Sequence, residues 1–170
     1  MKKLFCLILI LSLTQILAFA EEGLPSFTTT DMEGNTVTQD IFADYDLTVV
    51  NIWTTWCIYC INEMPALAQF KTMLPENINF ITLCEDASTE KELAEQILQA
   101  SGANFQTLIA NQDMIDQYLY NVYSIPTTLF LDSSGMPVRS PVVGVPSLED
   151  PADAYYGLAM GALRMMQEDS

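Results

Sequence analysis

Residues Asn51 to Pro65 read Asn-Ile-Trp-Thr-Thr-Trp-Cys-Ile-Tyr-Cys-Ile-Asn-Glu-Met-Pro. Two cysteines, Cys57 and Cys60, are separated by two residues, after an apolar strand-like run and at the start of a helix-like run. A thiol at a helix N-terminus faces unpaired backbone N–H groups and the positive end of the helix dipole, and both stabilise the thiolate. The second cysteine, one helical turn later, can close an intramolecular disulfide and release a bound partner. The stretch therefore predicts thiol–disulfide exchange.

The chain around this stretch alternates strand-like and helix-like segments. Leu47–Trp53 and Asn77–Cys84 are nearly continuous apolar runs, as expected of strands buried on both faces of a parallel or mixed sheet. Between them, Ile61–Leu74 carries apolar residues at helical spacing, and a second helix with Ser88 as its N-cap is predicted to stop at Gly102. This βαβα order predicts parallel strands joined by right-handed crossovers.

Shorter segments flank this central unit on both sides. A β-hairpin of Phe27–Thr30 and Thr36–Thr38 is predicted before it, followed by a single helical turn at Asp40–Tyr45. After it we predict a strand, a short helix, a strand hairpin and a final amphipathic helix, at Phe105–Ile109, Met114–Leu119, Ser124–Asp132 with Met136–Val143, and Leu148–Met166. The sequence shows no internal repeat or interdomain linker, so residues 21–170 are predicted to form one domain.

The first twenty residues have the composition of a secretory signal peptide. Two lysines precede the apolar run Leu4–Leu13, and Ala18-Phe19-Ala20 places small residues at the spacing of a cleavage site. We therefore expect export to the periplasm or another extracytoplasmic space, with residues 1–20 removed. The alternative is an uncleaved segment that tethers the domain, although polar residues interrupt the run and about 20 apolar residues normally span a bilayer.

The composition excludes several classes of function. Loss of Lys2 and Lys3 with the signal would leave four basic residues against 22 acidic ones, a net charge of −18. Such a surface repels nucleic acid and anionic lipid, and it serves solubility or, alternatively, steers basic partners. The chain has no histidine, which excludes Cys-His and Ser-His nucleophilic machinery and histidine-ligated metal sites. Proton transfer must then use a carboxylate, a thiol or water.

Three motifs occur together in this order of elements: Val49–Cys60, then Glu63-Met64-Pro65, then Ile125–Thr128 with Asp132 and Gly135. With them the chain resembles the thioredoxin superfamily, and within it the exported thiol–disulfide oxidoreductases related to TlpA and ResA. The resemblance implies a thioredoxin-like α/β fold, a three-layer α/β/α sandwich with a mixed central sheet and an N-terminal β-hairpin extension. It also implies a monomeric enzyme without cofactor or metal. Its partners would be protein thiols and disulfides and a membrane or extracytoplasmic redox protein, with no nucleic acid.

The resemblance implies a role for each residue of the predicted site. Cys57 would be the attacking cysteine and Cys60 the resolving one, joined in the oxidised form as a Cys57–Cys60 disulfide. Pro126 would be a cis-proline beside that disulfide, and the backbone of Ile125 would pair with the partner polypeptide. Trp56 would cover the sulfurs on the substrate side. Its neighbour Trp53 would flank the site as well, with simple core filling as the alternative.

Proton transfer is predicted at Glu63. Thioredoxins carry a buried aspartate at the position of Asn51, and asparagine cannot shuttle a proton; in the TlpA and ResA branch a glutamate three residues after the second cysteine takes over. Residues i and i+3 share one helix face, so the Glu63 carboxylate can approach Cys60. We expect Glu63 to be partly desolvated, with a raised pKa, and to act as general base for Cys60. The alternative is a solvated helix carboxylate.

The dipeptide Ile58-Tyr59 departs from the family pattern, in which proline is common at the second position. It supplies neither the positive charge nor the histidine donor associated with strong oxidants. Because the branch is mostly reducing, we expect a reductase that serves cytochrome c maturation or similar thiol maintenance.

The role of Cys84 and two other classes of protein are the remaining alternatives to the thiol–disulfide oxidoreductase described above. Cys84 is predicted to be a buried small hydrophobe, or else a third resolving or regulatory thiol. A peroxiredoxin-like peroxidase would need a lone cysteine after Pro-x-x-x-Thr-x-x and a nearby arginine, and neither is present in the sequence. A thiolate metal-binding or metallochaperone module built on Cys57, Cys60 and Cys84 would lack the fourth ligand that zinc usually takes.

Overall fold

A mixed five-stranded sheet forms the centre of the fold in the computed structural model, which describes residues 26–119 and 122–168. In chain order the strands are β1 (Thr28–Thr30), β2 (Thr36–Thr38), β3 (Leu47–Trp53), β4 (Ile78–Cys84), β5 (Gln106–Ile109), β6 (Thr127–Asp132) and β7 (Val142–Val143). The helices are α1 (Ile58–Met73), α2 (Ala87–Ala100), α3 (Gln112–Met114) and α4 (Pro151–Glu168). A 3-10 helix at Gln39–Phe42 follows β2, and a π-helical turn at Ile115–Leu119 follows α3.

The signal peptide predicted for residues 1–20 lies outside the described residues. Within residues 26–119 and 122–168, no helix is both long enough and apolar enough to cross a membrane.

Strand β3 lies at the middle of the sheet, whose order is β5-β4-β3-β6-β7. It pairs in parallel with β4, so that Trp53 lies beside Cys84, and antiparallel with β6, so that Ile52 lies beside Thr127. All seven residues of β3 are buried, as are all seven of β4. The register brings the carboxyl ends of β3 and β4 and the beginning of β6 to one edge of the sheet.

The two faces of the sheet carry separate hydrophobic clusters, because successive side chains of a strand point to opposite sides. One cluster joins Val49 and Trp53 of β3 to the apolar faces of α1, α2 and α4, including Met64, Leu67, Phe70, Ala94 and Tyr155. The other joins Val50 and Ile52 to the β1–β2 hairpin, the 3-10 helix and α3, including Phe27, Val37, Phe42 and Met114. Both faces are therefore covered, which gives the predicted layered α/β arrangement with its N-terminal hairpin.

Several predicted boundaries differ from the structure. Helix α1 begins at Ile58, directly after Cys57, rather than at Ile61. The prediction of Ser88 as the N-cap of α2 is wrong, because Asp86 occupies that position and Ser88 lies inside the helix. The final helix begins at Pro151, where a missing N–H costs no helical hydrogen bond, instead of at Leu148.

The strand predicted over Met136–Val143 is much shorter in the structure. Only Val142–Val143 pairs with β6, and Pro137 forms an isolated bridge with Leu131. Pro137 and Pro141 have no backbone N–H to donate to a ladder, so a continuous strand cannot form across them.

Candidate redox site

The two site cysteines lie where the central strand leads into helix α1. Cys57 is the N-cap residue of α1, with φ −81° and ψ 99°, and it is joined to Cys60 by a disulfide. The Cys57 side chain is nearly buried, at 6% exposure, whereas Cys60 is fully buried. The backbone N–H of Cys60 donates to Cys57 Sγ at 3.2 Å. Cys57 is therefore the more accessible of the two cysteines. Its sulfur is also the one that a helical N–H group contacts.

The proline motif reaches the same edge of the sheet through β6. The peptide bond between Ile125 and Pro126 is cis, and the carbonyl of Pro126 accepts the N–H of Gly144 at 2.7 Å. Since Thr127 pairs with Ile52, Ile125 and Pro126 immediately precede the part of β6 that adjoins the end of β3. The sheet register thus brings the cysteine loop and the proline segment to one edge.

Large apolar side chains are exposed around the disulfide. Trp56 is 73% exposed, Ile58 59% and Tyr59 64%. A cavity of about 390 Å³ lies between Trp56 and the segment before β6, and it is lined by Trp56, Glu85, Val122, Tyr123, Ser124 and Ile125. The exposed side chains of Trp56, Ile58 and Tyr59 make the surface beside Cys57 largely apolar, while Glu85 and Ser124 add polar groups to the adjacent cavity.

Trp53 and Trp56 have opposite environments. Trp53 is fully buried in the core, and its indole N–H donates to Thr82 Oγ1 at 3.3 Å. Of the two roles considered for Trp53, core packing is the one that the structure shows, whereas Trp56 faces outward next to the disulfide.

Glu63 is buried one helical turn after Cys60. It is only 3% exposed, so it is not a solvated helix carboxylate. Asn51 Nδ2 donates to Glu63 Oε1 at 3.2 Å, and the Tyr155 hydroxyl donates to Glu63 Oε2 at 2.8 Å. Burial raises the pKa of Glu63 to about 7, while the two hydrogen bonds act in the opposite direction. A carboxyl group with such a pKa can take and release a proton near neutral pH.

Cys84 and Asp86 form a second polar group at the same sheet edge. Cys84 is a free, fully buried thiol that donates to Asp86 Oδ1 at 3.3 Å. Burial raises the pKa of Cys84 well above its usual range, and the hydrogen bond and charge of Asp86 raise it further. The thiol therefore stays protonated, and Cys84 has the environment of a buried small side chain. Within the described residues, no three His, Cys, Asp or Glu side chains are grouped to hold a metal ion.

Two site residues were not predicted from the sequence. Tyr155 was included only as part of an amphipathic helix, and its contact with Glu63 spans 92 residues of chain. Asp86 holds the backbone of Thr55 across 31 residues. Neither contact has a local spacing pattern that sequence inspection can detect.

Comparison with known proteins identifies the family of the chain. Residues 20–138 match the AhpC/TSA family. The thiol:disulfide interchange protein DsbE of Pseudomonas fluorescens biotype C is 33% identical over 99 residues, which are 57% of this chain and 51% of that protein. The thiol-disulfide oxidoreductase ResA of Bacillus subtilis (strain 168) is 25% identical over 92 residues, 53% of this chain and 49% of that protein. The chain spans about half the length of the curated relatives it matches.

Solved structures agree on the fold. A thioredoxin family thiol:disulfide interchange protein from Chlorobium tepidum TLS superposes with a TM-score of 0.69 at 20% identity, covering 83% of this chain and 95% of that one. The predicted thioredoxin-like fold and the resemblance to ResA-like proteins are thereby confirmed.

Proposed function

Because the chain belongs to the AhpC/TSA family, we propose that it is a thiol–disulfide oxidoreductase that exchanges the Cys57–Cys60 disulfide with protein thiols. The observation that supports this most directly is the disulfide at the N-terminus of α1, with the buried Glu63 carboxyl one turn further along the helix. This arrangement supplies an attacking sulfur, a resolving sulfur and a group that can hold a proton.

The first step is attack by Cys57 in the dithiol form. Its thiolate displaces one sulfur of a substrate disulfide, so that the substrate S–S bond breaks, a mixed disulfide forms and a substrate thiolate leaves. The N–H of Cys60 and the N-terminal end of the α1 dipole stabilise the Cys57 thiolate before the attack.

The second step is resolution by Cys60. The Cys60 thiol gives its proton to the Glu63 carboxylate, and the resulting thiolate attacks Cys57 Sγ and displaces the remaining substrate sulfur. The substrate has then gained two electrons and the Cys57–Cys60 disulfide has formed. Since Cys60 is fully buried, its proton needs an acceptor inside the protein, and Glu63 is the carboxylate one turn away.

The substrate is a polypeptide that docks on the surface beside Cys57. In this proposal Trp56 packs against its side chains, and the backbone of Ile125 pairs with it next to Pro126. The exposure of Trp56 and the cavity of about 390 Å³ that Trp56 and Ile125 line support this binding mode.

The proposed direction of electron flow is reduction of substrate disulfides. Ile58 and Tyr59, the residues between the cysteines, place no positive charge at the N-terminus of α1 that would stabilise a thiolate strongly and make the disulfide oxidising. The signal-like composition of residues 1–20 supports export of a single domain over residues 21–170. In this proposal the protein is a monomer that keeps exported thiols reduced, including those used in cytochrome c maturation. A membrane or extracytoplasmic redox protein reduces it again after each turnover.

Insulin reduction and equilibration with glutathione or dithiothreitol test the proposal. We expect the protein to accelerate insulin reduction, Cys57→Ser to abolish the acceleration, and Cys60→Ser to accumulate a mixed disulfide with the substrate. A strongly negative reduction potential is expected for a reductase. A folded protein that is inactive on insulin but binds a stoichiometric metal ion, or consumes hydrogen peroxide, would contradict the proposal in favour of the other classes.

A further inference from the structure

Four buried polar side chains, each from a different element of the fold, meet at Glu63, one helical turn after Cys60. Asn51 belongs to β3, Glu63 to α1, Thr128 to β6 and Tyr155 to α4. All four are at most 3% exposed. Burying polar groups costs free energy unless they are hydrogen-bonded, so a cluster of four requires a compensating network.

The contacts within this cluster are specific to the two oxygens of Glu63. Tyr155 donates to Oε2 at 2.8 Å, and Asn51 Nδ2 donates to Oε1 at 3.2 Å. The same Asn51 nitrogen donates to Thr128 Oγ1 at 3.2 Å. The Asn51 amide therefore connects α1 to β6, and the Tyr155 hydroxyl connects α4 to the same carboxyl group.

We propose that Asn51, Thr128 and Tyr155 form a hydrogen-bonding frame that holds the Glu63 carboxyl ready for proton exchange with Cys60 in both of its protonation states. Within the frame, Tyr155 is the positioning residue that sets the proton affinity of Glu63. The inference rests on the proposed function, because it explains how the proton acceptor of that reaction is held.

In the charged state of Glu63, the frame provides a donor to each carboxylate oxygen. Burial raises the pKa of Tyr155, and the nearby charge of Glu63 raises it further, so the phenol keeps its proton and remains a donor. The Asn51 amide supplies the second donor. The two bonds stabilise the carboxylate against the cost of its burial.

In the neutral state, the proton that has left Cys60 resides on a Glu63 oxygen and needs an acceptor. Asn51 Oδ1 is buried and has no hydrogen-bond donor among the residues that the structure describes. A half-turn of the amide places this oxygen between Glu63 and Thr128, where it accepts the carboxyl O–H and the Thr128 hydroxyl. One proton moves from sulfur to oxygen, and the frame supplies hydrogen bonds before and after the transfer.

The groups around Glu63 allow its titration to be assigned. Cys60 on α1 and Tyr155 on α4 are the titratable side chains of this cluster, and Cys60 does not titrate while the disulfide is formed. Strands β3 and β6 contribute Asn51 and Thr128 to the surroundings of Glu63, and neither side chain carries a charge. A carboxyl titration of the oxidised protein near neutral pH therefore reports Glu63.

The test is the titration of Glu63 in the oxidised full-length protein, followed by ¹³C NMR of the labelled side-chain carboxyl. Tyr155→Phe removes a donor to the carboxylate while keeping the ring, so we expect the midpoint to rise by about one to two pH units, a tenfold to hundredfold gain in proton affinity. Tyr156→Phe changes the adjacent tyrosine of α4 and should leave the midpoint in place. Thr128→Ser keeps the hydroxyl and should titrate like the wild type, whereas Thr128→Val should move the midpoint.

Thermal unfolding first shows that each variant is folded. A Tyr155→Phe midpoint equal to those of the wild type and Tyr156→Phe would overturn the frame. The titration of Cys60 in the reduced protein, followed by ¹³Cβ NMR because this needs no reagent to reach the buried sulfur, separates this result from the proposed function. If the midpoint moves in Tyr155→Phe but Glu63→Gln leaves the pH profile of Cys60 unchanged, the frame is supported and the role of Glu63 in exchange is refuted.

Discussion

The carboxylate of Asp86 holds the backbone of Thr55, two residues before Cys57, the more accessible cysteine of the disulfide. The Thr55 N–H lies 3.0 and 3.1 Å from the two Asp86 oxygens, and its hydroxyl donates to Oδ2 at 2.6 Å. Although Asp86 is the N-cap residue of α2, its side chain makes no capping bond to that helix. Its hydrogen-bonding capacity is used instead to fix the loop between β3 and α1, and thereby the position of Cys57.

Asp86→Ala should therefore destabilise the protein and loosen the cysteine loop. The variant leaves the Thr55 N–H and hydroxyl and the Cys84 thiol without their acceptor, and we expect the free energy of unfolding to fall by about 1–3 kcal/mol. Urea denaturation of the oxidised protein measures this change. Asp44→Ala, at an exposed aspartate, is the matched control and should have little effect. Equal stabilities of the two variants would show that the Asp86 contacts do not anchor the loop.

The two tryptophans should separate stability from substrate docking. Trp53 is fully buried, and Trp53→Ala should cost about 3–5 kcal/mol of unfolding free energy through lost packing. Trp56 is 73% exposed, and Trp56→Ala should change stability by no more than about 0.5 kcal/mol. If Trp56 anchors a polypeptide, the same variant should lower kcat/KM for insulin about tenfold, which corresponds to roughly 1.4 kcal/mol.

A small disulfide is the control for the Trp56 measurement. Reduction of 5,5′-dithiobis(2-nitrobenzoate) needs the thiolate but no docked chain, so its rate should be the same in Trp56→Ala and in the wild type. If Trp56→Ala reduced insulin and the small disulfide more slowly to the same extent, Trp56 would affect the reactivity of the cysteine sulfurs rather than substrate docking.

Burial of Glu63 should make stability depend on pH. Its pKa is raised from the ordinary 4.5 to about 7 in the folded protein, so the folded state binds the proton more tightly than the unfolded chain. The contribution to stability is fully present below pH 4.5 and is lost as the pH rises through 7, with a total on the order of 3 kcal/mol. The unfolding free energy of the wild type relative to Glu63→Gln should fall by this amount between pH 4.5 and 8.

Chemical denaturation of the oxidised proteins across this range checks the sign and the size. Glu92→Gln, at an exposed glutamate of α2, is the control, and its difference from the wild type should not vary with pH on this scale. A difference between the wild type and Glu63→Gln that is constant with pH would contradict the raised pKa.

Sequence patterns predicted those strands and side-chain placements that depend on residues close together in the chain. The bounds of β3 were correct and those of β4 lay within one residue, because both strands are buried on both faces and read as continuous apolar runs. The i, i+3 spacing placed Glu63 on the face of Cys60. Tyr155 and Asp86 were missed because their contacts with Glu63 and Thr55 join segments 92 and 31 residues apart, which only the folded chain brings together.

Cys84 should be inert in the native protein. It is fully buried, and burial together with Asp86 raises its pKa well above the usual range, so little thiolate forms at neutral pH. In the oxidised protein we expect iodoacetamide to label Cys84 at least about a hundredfold more slowly than in the denatured chain, at a rate limited by opening of the structure. Peptide mass spectrometry identifies the labelled cysteine, and the same protein in guanidinium provides the unprotected rate. Rapid labelling of native Cys84, or its disappearance into a disulfide on oxidation, would instead assign this third thiol to the redox chemistry of Cys57 and Cys60.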